Sequence, residues 1–251
     1  MTRLTRTIID NQFNSTRNKV LDLNSNASDL IYTLDLGNTH PHFGKFIQGK
    51  LTSVAPITEE AGIDQFLQDK HHWVASNVTQ FDIPVANQLS SLRAESKFLE
   101  MNIQYGETLG EDRLFQSYFL HHNFPKQDIL FIDAGTFITI DLISKNGFEG
   151  GFIFPGINAF LSSYRKGQKL PKTSNAPLDL HANLPHTTQE AITEALKVYL
   201  HSTLSYFLTK YSKRSIVITG GTGEFISNEF SLENYYPHLI HESLFHLNFC
   251  K

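Results

Sequence analysis

A strand with an aspartate at its tip, a Gly-Thr turn and a returning strand occur twice in this sequence. No other feature constrains the fold as strongly. In the first copy Ile31-Tyr32-Thr33-Leu34-Asp35-Leu36 is an apolar, β-prone run stopped by Gly37-Asn38-Thr39, and Phe43 to Ile47 resumes after the turn. In the second, Ile129 to Asp133 reads as a buried strand, Gly135-Thr136 turns, and Phe137 to Ile143 returns. Lys145-Asn146-Gly147 then leads into a further strand, Phe148 to Phe154. Asp35 and Asp133 stand ninety-eight positions apart. A solenoid unit is shorter, about 20–50 residues, so the spacing predicts a duplicated domain.

Two further segments define the fold class. Thr187-Thr188-Gln189-Glu190 has the form of a capping box, Thr187 as N-cap and Glu190 three residues on. It opens a helix whose Ile192, Ala195, Leu196, Tyr199, Leu200, Thr203 and Phe207 share one face. Ser215 to Thr219 is a short strand ending in Gly220-Gly221-Thr222-Gly223. Strands alternating with helices predict an α/β protein with two similar halves. The expected division is a polar extension over 1–30, a first domain over 31–150 with its loop at 35–39, and a second half over 151–251 whose first strands begin near 128.

Composition excludes several classes. With 40% hydrophobic and 18% charged residues the chain is globular, and its formal net charge of −4 disfavours nucleic acid and anionic membrane. Cys250 is the only cysteine, so no internal disulfide and no cysteine zinc site forms. No apolar run reaches membrane-spanning length, and no apolar core follows the basic residues of the first thirty. The expectation is a cytoplasmic protein. The twelve histidines show no metal-ligand spacing.

The duplicated loop has a chemical reading. Glycine lets the turning backbone approach a phosphate, amides and a Thr hydroxyl donate to its oxygens, and the carboxylate holds a cation or that cation's waters. A plain hairpin turn uses the same residue types. Two copies in matching contexts favour the phosphate reading.

Asp35-Leu36-Gly37-Asn38-Thr39, Asp133-Ala134-Gly135-Thr136 and Thr219-Gly220-Gly221 resemble the phosphate and nucleoside loops of the actin-like ATPase superfamily. Within it, Gly110-Glu111-Asp112-Arg113, Pro155-Gly156-Ile157, Leu170-Pro171 and Thr188-x-Glu190-Ala191-Ile192 resemble type III pantothenate kinase. The resemblance implies two ribonuclease-H-like domains with a nucleotide cleft between them, where Asp35 and Asp133 serve one nucleotide. It also implies phosphorylation of pantothenate by ATP with Mg²⁺ and a monovalent cation, K⁺ or NH₄⁺, in a homodimer. On this match ATP would meet Asp35, Leu36, Gly37, Asn38, Thr39, His40, Pro41 and His42, together with Thr136, Gly220 and Gly221. Asp133 would hold the monovalent cation. Pantothenate would meet Gly110, Glu111, Asp112, Arg113, Thr188 and Tyr105, with Asp112 as general base.

Those roles agree with elementary chemistry. Phosphoryl transfer to an alcohol needs a carboxylate near the hydroxyl, and an adjacent Arg is a two-pronged partner for a carboxylate substrate. An acidic helix start accounts for Glu111-Asp112-Arg113 as well, since Leu114, Phe115, Tyr118 and Phe119 follow with helical spacing. The chain departs from the family in three places. Tyr105-Gly106-Glu107 lacks Asn-Pro in a shortened loop to Gly110, Phe137 follows Asp-x-Gly-Thr where a small residue is usual, and the helix from Thr187 lacks interface glycines. Two alternatives remain, a non-catalytic nucleotide-binding accessory or regulatory protein and a kinase for another small hydroxylated acceptor.

Overall fold

The computed structural model describes residues 30–37, 39–57, 72–79, 82–83, 89–167, 169–172, 177 and 179–249. Asn38, Cys250 and residues 1–29 of the expected extension lie outside them. The chain divides into two units. One comprises 1–127, 143–150 and 238–251, the other 128–142 and 151–237.

The first unit is built on β1 (Leu30–Leu36), β2 (His42–Ile47), β3 (Lys50–Pro56) and β4 (His72–Asn77), ordered β3-β2-β1-β4. β1 runs antiparallel to β2 and parallel to β4, with Asp35 opposite His42 on one side and Ser76 on the other. A small three-stranded sheet follows, β5 (Arg93–Ala94), β6 (Lys97–Phe98) and β7 (Met101–Asn102), then helix α1 (Glu111–Asn123). The predicted apolar face of α1 is buried: Leu114, Phe115, Tyr118 and Phe119. Phe98 packs its ring against Phe115 and Tyr118.

The second sheet repeats the first. β8 (Ile129–Ala134), β9 (Phe137–Ser144), β10 (Gly147–Pro155) and β11 (Ser215–Thr219) are ordered β10-β9-β8-β11. β8 runs parallel to β11 with Asp133 opposite Thr219, as β1 places Asp35 opposite Ser76. The duplication read from two Asp-x-Gly loops is therefore a duplication of strand order and register. Ile129 to Ile132 are all buried, as a continuous apolar run in a parallel pair requires.

Helices α2 (Ile157–Ser163), α3 (Thr188–Lys210) and α4 (Gly223–Glu229) belong to the second unit. The capping box of α3 forms as predicted. Thr187 Oγ1 accepts from the Glu190 N–H at 3.2 Å, and the Glu190 carboxylate accepts from the Thr187 N–H at 3.1 Å. Ile192, Leu196, Leu200 and Phe207 are buried with Leu130, Ile132, Ile140 and Ile218, while Ala195, Tyr199 and Thr203 flank them half-buried. Leu204, absent from the predicted face, is buried as well.

The last helix, α5 (Leu239–Phe249), returns to the first unit and packs on α1, β1 and β4. Its Phe245 stacks on Phe46 at 4.4 Å between ring centres. One residue on, His246 sits against Phe119 and His122. Burial, then the neighbouring His122, push its pKa down to about 4 against the opposing pull of Glu100. As pH falls below the ordinary histidine value of about 6.5, the unfolded chain takes up a proton that folded His246 resists, so stability drops. His246→Phe keeps the ring and removes that proton. Urea midpoints at about pH 7 and about pH 5 should show a flatter acid limb in the variant, by up to about 1.4 kcal/mol per pH unit.

Candidate functional site

In the first unit β1 and β4 end side by side, Leu36 paired with Asn77, and the Val78 N–H donates to the Leu36 carbonyl at 3.3 Å. α1 begins at this point. The Asn77 N–H donates to the Glu111 carboxylate at 2.8 Å, so Glu111 ties the helix start to the tip of β4. Leu36 is wholly buried, which leaves its backbone to serve the loop, while Thr39 and His40 are exposed. The Pro41 carbonyl is held by the Ile57 N–H at 2.8 Å.

Gly110 precedes α1 for a steric reason. A Cβ there would lie 2.6 Å from Asp112 Oδ1, so any side chain at 110 would push that carboxylate from its place beside the helix start. Asp112 Oδ1 accepts the Arg113 N–H at 2.8 Å. Burial raises the Asp112 pKa above the ordinary carboxylate range, and the Arg113 N–H and guanidinium oppose that rise in part. A base that holds its proton more tightly than a free carboxylate is better matched to abstraction near neutral pH.

Arg113 is only 4% exposed. Its guanidinium lies over the ring of Tyr105 at 5.1 Å and over Phe148 at 5.8 Å, and those two rings meet edge to face. Aromatic faces attract a guanidinium and fix the plane in which its donors lie. The shortened loop is fixed by Arg93, which donates to the carbonyls of Gly106 at 2.8 Å, Glu107 at 3.2 Å and Tyr105 at 3.4 Å. Phe148 and Arg93 carried no signal in the sequence. Phe148 reaches this place through a parallel bridge to Ile103, with the Gln104 N–H donating to the Phe148 carbonyl at 2.8 Å.

In the second unit three loops meet. The Thr222 N–H and hydroxyl both donate to the Ala134 carbonyl, at 2.9 and 2.7 Å. The Gly156 N–H donates to the Thr136 carbonyl at 3.0 Å. The approach is too close for side chains. A Cβ on Gly156 would lie 2.4 Å from the Gly135 carbonyl oxygen, and one on Gly220, at φ +89°, would lie 2.6 Å from Ala134. Asp133-Ala134-Gly135-Thr136, Pro155-Gly156 and Gly220-Gly221-Thr222 thus form one platform. Gly221 faces open space, and Phe137 is 46% exposed. Thr188 begins α3 on the exposed side of its first turn.

Asp35 and Asp133 are partly exposed oxygen donors at strand ends. Among the described residues no group of three or more His, Cys, Asp or Glu could hold a metal ion. A lone carboxylate at a strand tip suits a cation whose other ligands are waters or nucleotide phosphates.

The family model for type III pantothenate kinase matches residues 31–207. A type III pantothenate kinase of Campylobacter hominis is 32% identical over 148 residues, covering 59% of this chain and 67% of that protein. The Campylobacter jejuni subsp. jejuni enzyme of the same name is 31% identical over 188 residues, covering 72% and 80%. A solved Campylobacter jejuni structure, described under the name Baf family transcriptional activator, is 25% identical and superposes with a TM-score of 0.58 over 86% of this chain and 96% of that one. The chain belongs to the type III pantothenate kinase family. It is a phosphotransferase with a mixed α/β fold, and kinases of this family use ATP.

Proposed function

We propose that this chain transfers the γ-phosphoryl group of ATP to the hydroxyl of pantothenate, the first step of coenzyme A synthesis. The observation that carries the reading is the pairing, at the start of α1, of a carboxylate with raised pKa and a buried guanidinium stacked on aromatic rings. As the hydroxyl oxygen bonds to the γ-phosphorus and the bond to the leaving ADP breaks, Asp112 takes the hydroxyl proton. The Arg113 fork pairs with the pantothenate carboxylate, and Tyr105 and Phe148 hold that fork in position. Gly110 and Thr188 complete the acceptor contacts, and Glu111 fixes the helix start from which Asp112 acts.

The loop from Asp35 to His42, with Thr136, Gly220 and Gly221, is assigned to ATP. Asp133 is assigned to a monovalent cation, K⁺ or NH₄⁺. Mg²⁺, when bound with ATP, neutralises the charge on the transferring group. The protein is proposed to act in the cytoplasm as a homodimer. Exposed Ile153, Val198 and Tyr206 supply apolar surface of the kind subunit interfaces use. Among the described residues no helix is long and apolar enough to cross a membrane.

Purified protein with ATP, Mg²⁺ and K⁺ should release ADP only when pantothenate is added. Asp133→Asn should need several-fold more K⁺, because removing one anionic ligand weakens cation binding. A non-catalytic accessory role, in keeping with the Baf-family name of the structural relative, predicts no pantothenate-dependent ADP. A kinase for another acceptor predicts ADP release with that acceptor alone.

A further inference from the structure

A line of polar side chains runs from Asp35 into the first unit, and the mechanism above gives its buried members, Thr33 and His241, no part. His42 lies across from Asp35 in the β1–β2 register, and Gly44 lies across from Thr33. Residues two apart on a strand share a face, so these are adjacent pairs on one side of the sheet. Gly44 leaves a gap there, and His241 of α5 fills it. A Cβ on residue 44 would lie 2.8 Å from the His241 ring and 2.8 Å from Thr33 Oγ1. The Phe245–Phe46 stack seats α5 so that 241 and 245, one helical turn apart, fall over 44 and 46.

The polar atoms are in sequence. Thr33 Oγ1 is 2.8 Å from His241 Nδ1, His241 Nε2 is 3.2 Å from His42 Nδ1, and His42 Nε2 is 3.7 Å from Asp35 Oδ2. A neutral imidazole has one donor and one acceptor nitrogen, so the line can run in two directions. In one, the Thr33 hydroxyl donates to the Gly44 carbonyl, a contact of 3.5 Å. His241 then donates from Nδ1, His42 donates from Nδ1, and a neutral His42 turns a bare Nε2 lone pair toward a carboxylate. In the other, Thr33 donates to His241 Nδ1, the shorter of its two contacts, and His241 Nε2–H donates to His42 Nδ1. His42 Nε2–H then faces Asp35. Only the second direction suits two neutral rings. Burial, followed by repulsion from His42 and His238, keeps His241 well below the ordinary histidine value, against a smaller upward pull from the Thr33 backbone.

We propose that Thr33, His241 and His42 form a one-directional hydrogen-bond relay that fixes His42 as its Nε2–H tautomer and so orients the Asp35 carboxylate. A separation of 3.7 Å exceeds a hydrogen bond, and such contacts commonly tighten when a site fills. His42 and His241 are positioning residues, and α5, more than two hundred residues along the chain from β1, becomes part of the support of the first loop. The orienting role rests on the assignment of Asp35 to ATP; the tautomers do not.

Two measurements test the relay. Long-range ¹H–¹⁵N spectra of histidine-labelled protein, at a pH where both rings are neutral, should show His42 and His241 as Nε2–H tautomers. Thr33→Val should shift His241 toward Nδ1–H. In kinetics His42→Phe should lower kcat about 10-fold, the size of loss typical when an orienting partner is removed. The pantothenate KM should stay within twofold, and His42→Gln, which restores a donor, should recover most of the loss. An Nδ1–H tautomer at His241 in the unaltered protein overturns the relay. Wild-type kcat in His42→Phe, beside a crippled Asp35→Asn, overturns its positioning role and leaves Asp35 at the nucleotide. Wild-type kcat in Asp35→Asn overturns the assignment of Asp35, and the positioning role with it, while the spectra still decide the tautomers.

Discussion

Asp112→Asn should lower kcat by about 10²–10⁴-fold, the range a positioned general base supplies. Asn keeps the shape of the side chain and can still accept the Arg113 N–H that Asp112 accepts at 2.8 Å. What it loses is the capacity to take a proton. The KM for ATP should therefore hardly move, because the residues assigned to the nucleotide lie on the Asp35 loop and the second unit's platform. The pH dependence supplies an independent check. A base works when ionised, so kcat/KM should fall as pH drops through the Asp112 pKa. Burial places that acid limb above the ordinary carboxylate range. At this first-turn position Asn gives up only the charge's interaction with the helix dipole, about 0.3–1 kcal/mol. If Asp112 served only the helix start, the variant would keep kcat within about threefold of the original, far short of a lost base, and no acid limb would disappear.

The strands that carry chemistry were legible because each is a short apolar run closed by Gly or Asn. The predicted starts and ends of the first, second, eighth, ninth, tenth and eleventh strands fall within one residue of those observed, and the capping box forms. β3 gave no pattern, since Lys50–Pro56 is a sheet-edge strand of mixed polar and apolar residues with none fully buried. β4 puts four buried residues in a row, Trp73 to Ser76, with only six residues in all, too few to show a period. The two-residue strands between Arg93 and Asn102 exist through their pairing, which no local pattern encodes. At the candidate site the motif residues were visible and their supports were not. Glu111 fitted the motif, yet only the fold shows its carboxylate bound to the Asn77 backbone. His42 was visible as the end of the first loop, and His241 only as one of twelve histidines. Their connection depends on Gly44, whose missing side chain signals nothing until α5 is seen to fill the gap.

Arg113→Lys should raise the pantothenate KM by about 10–100-fold, the equivalent of one charge-assisted hydrogen bond lost at 1.5–3 kcal/mol. Lysine keeps the positive charge, so any effect measures geometry. It cannot present two parallel donors to a carboxylate, and its ammonium does not stack as a planar guanidinium does on Tyr105 and Phe148. The carboxylate of pantothenate is remote from the hydroxyl that reacts and carries the same charge before and during transfer. Its contact with Arg113 therefore stabilises ground and transition states alike, and its loss should appear in KM with kcat little changed. Tyr105→Leu should give a smaller rise in the same constant, because it removes one wall of the stack and leaves the fork. A purely structural Arg113, serving to fill the space between two rings, makes a different prediction. Arg113→Lys would then lower the melting temperature and leave both substrate KM values as they were. Steady-state kinetics at saturating ATP, read beside thermal melts of the same variants, separates the two.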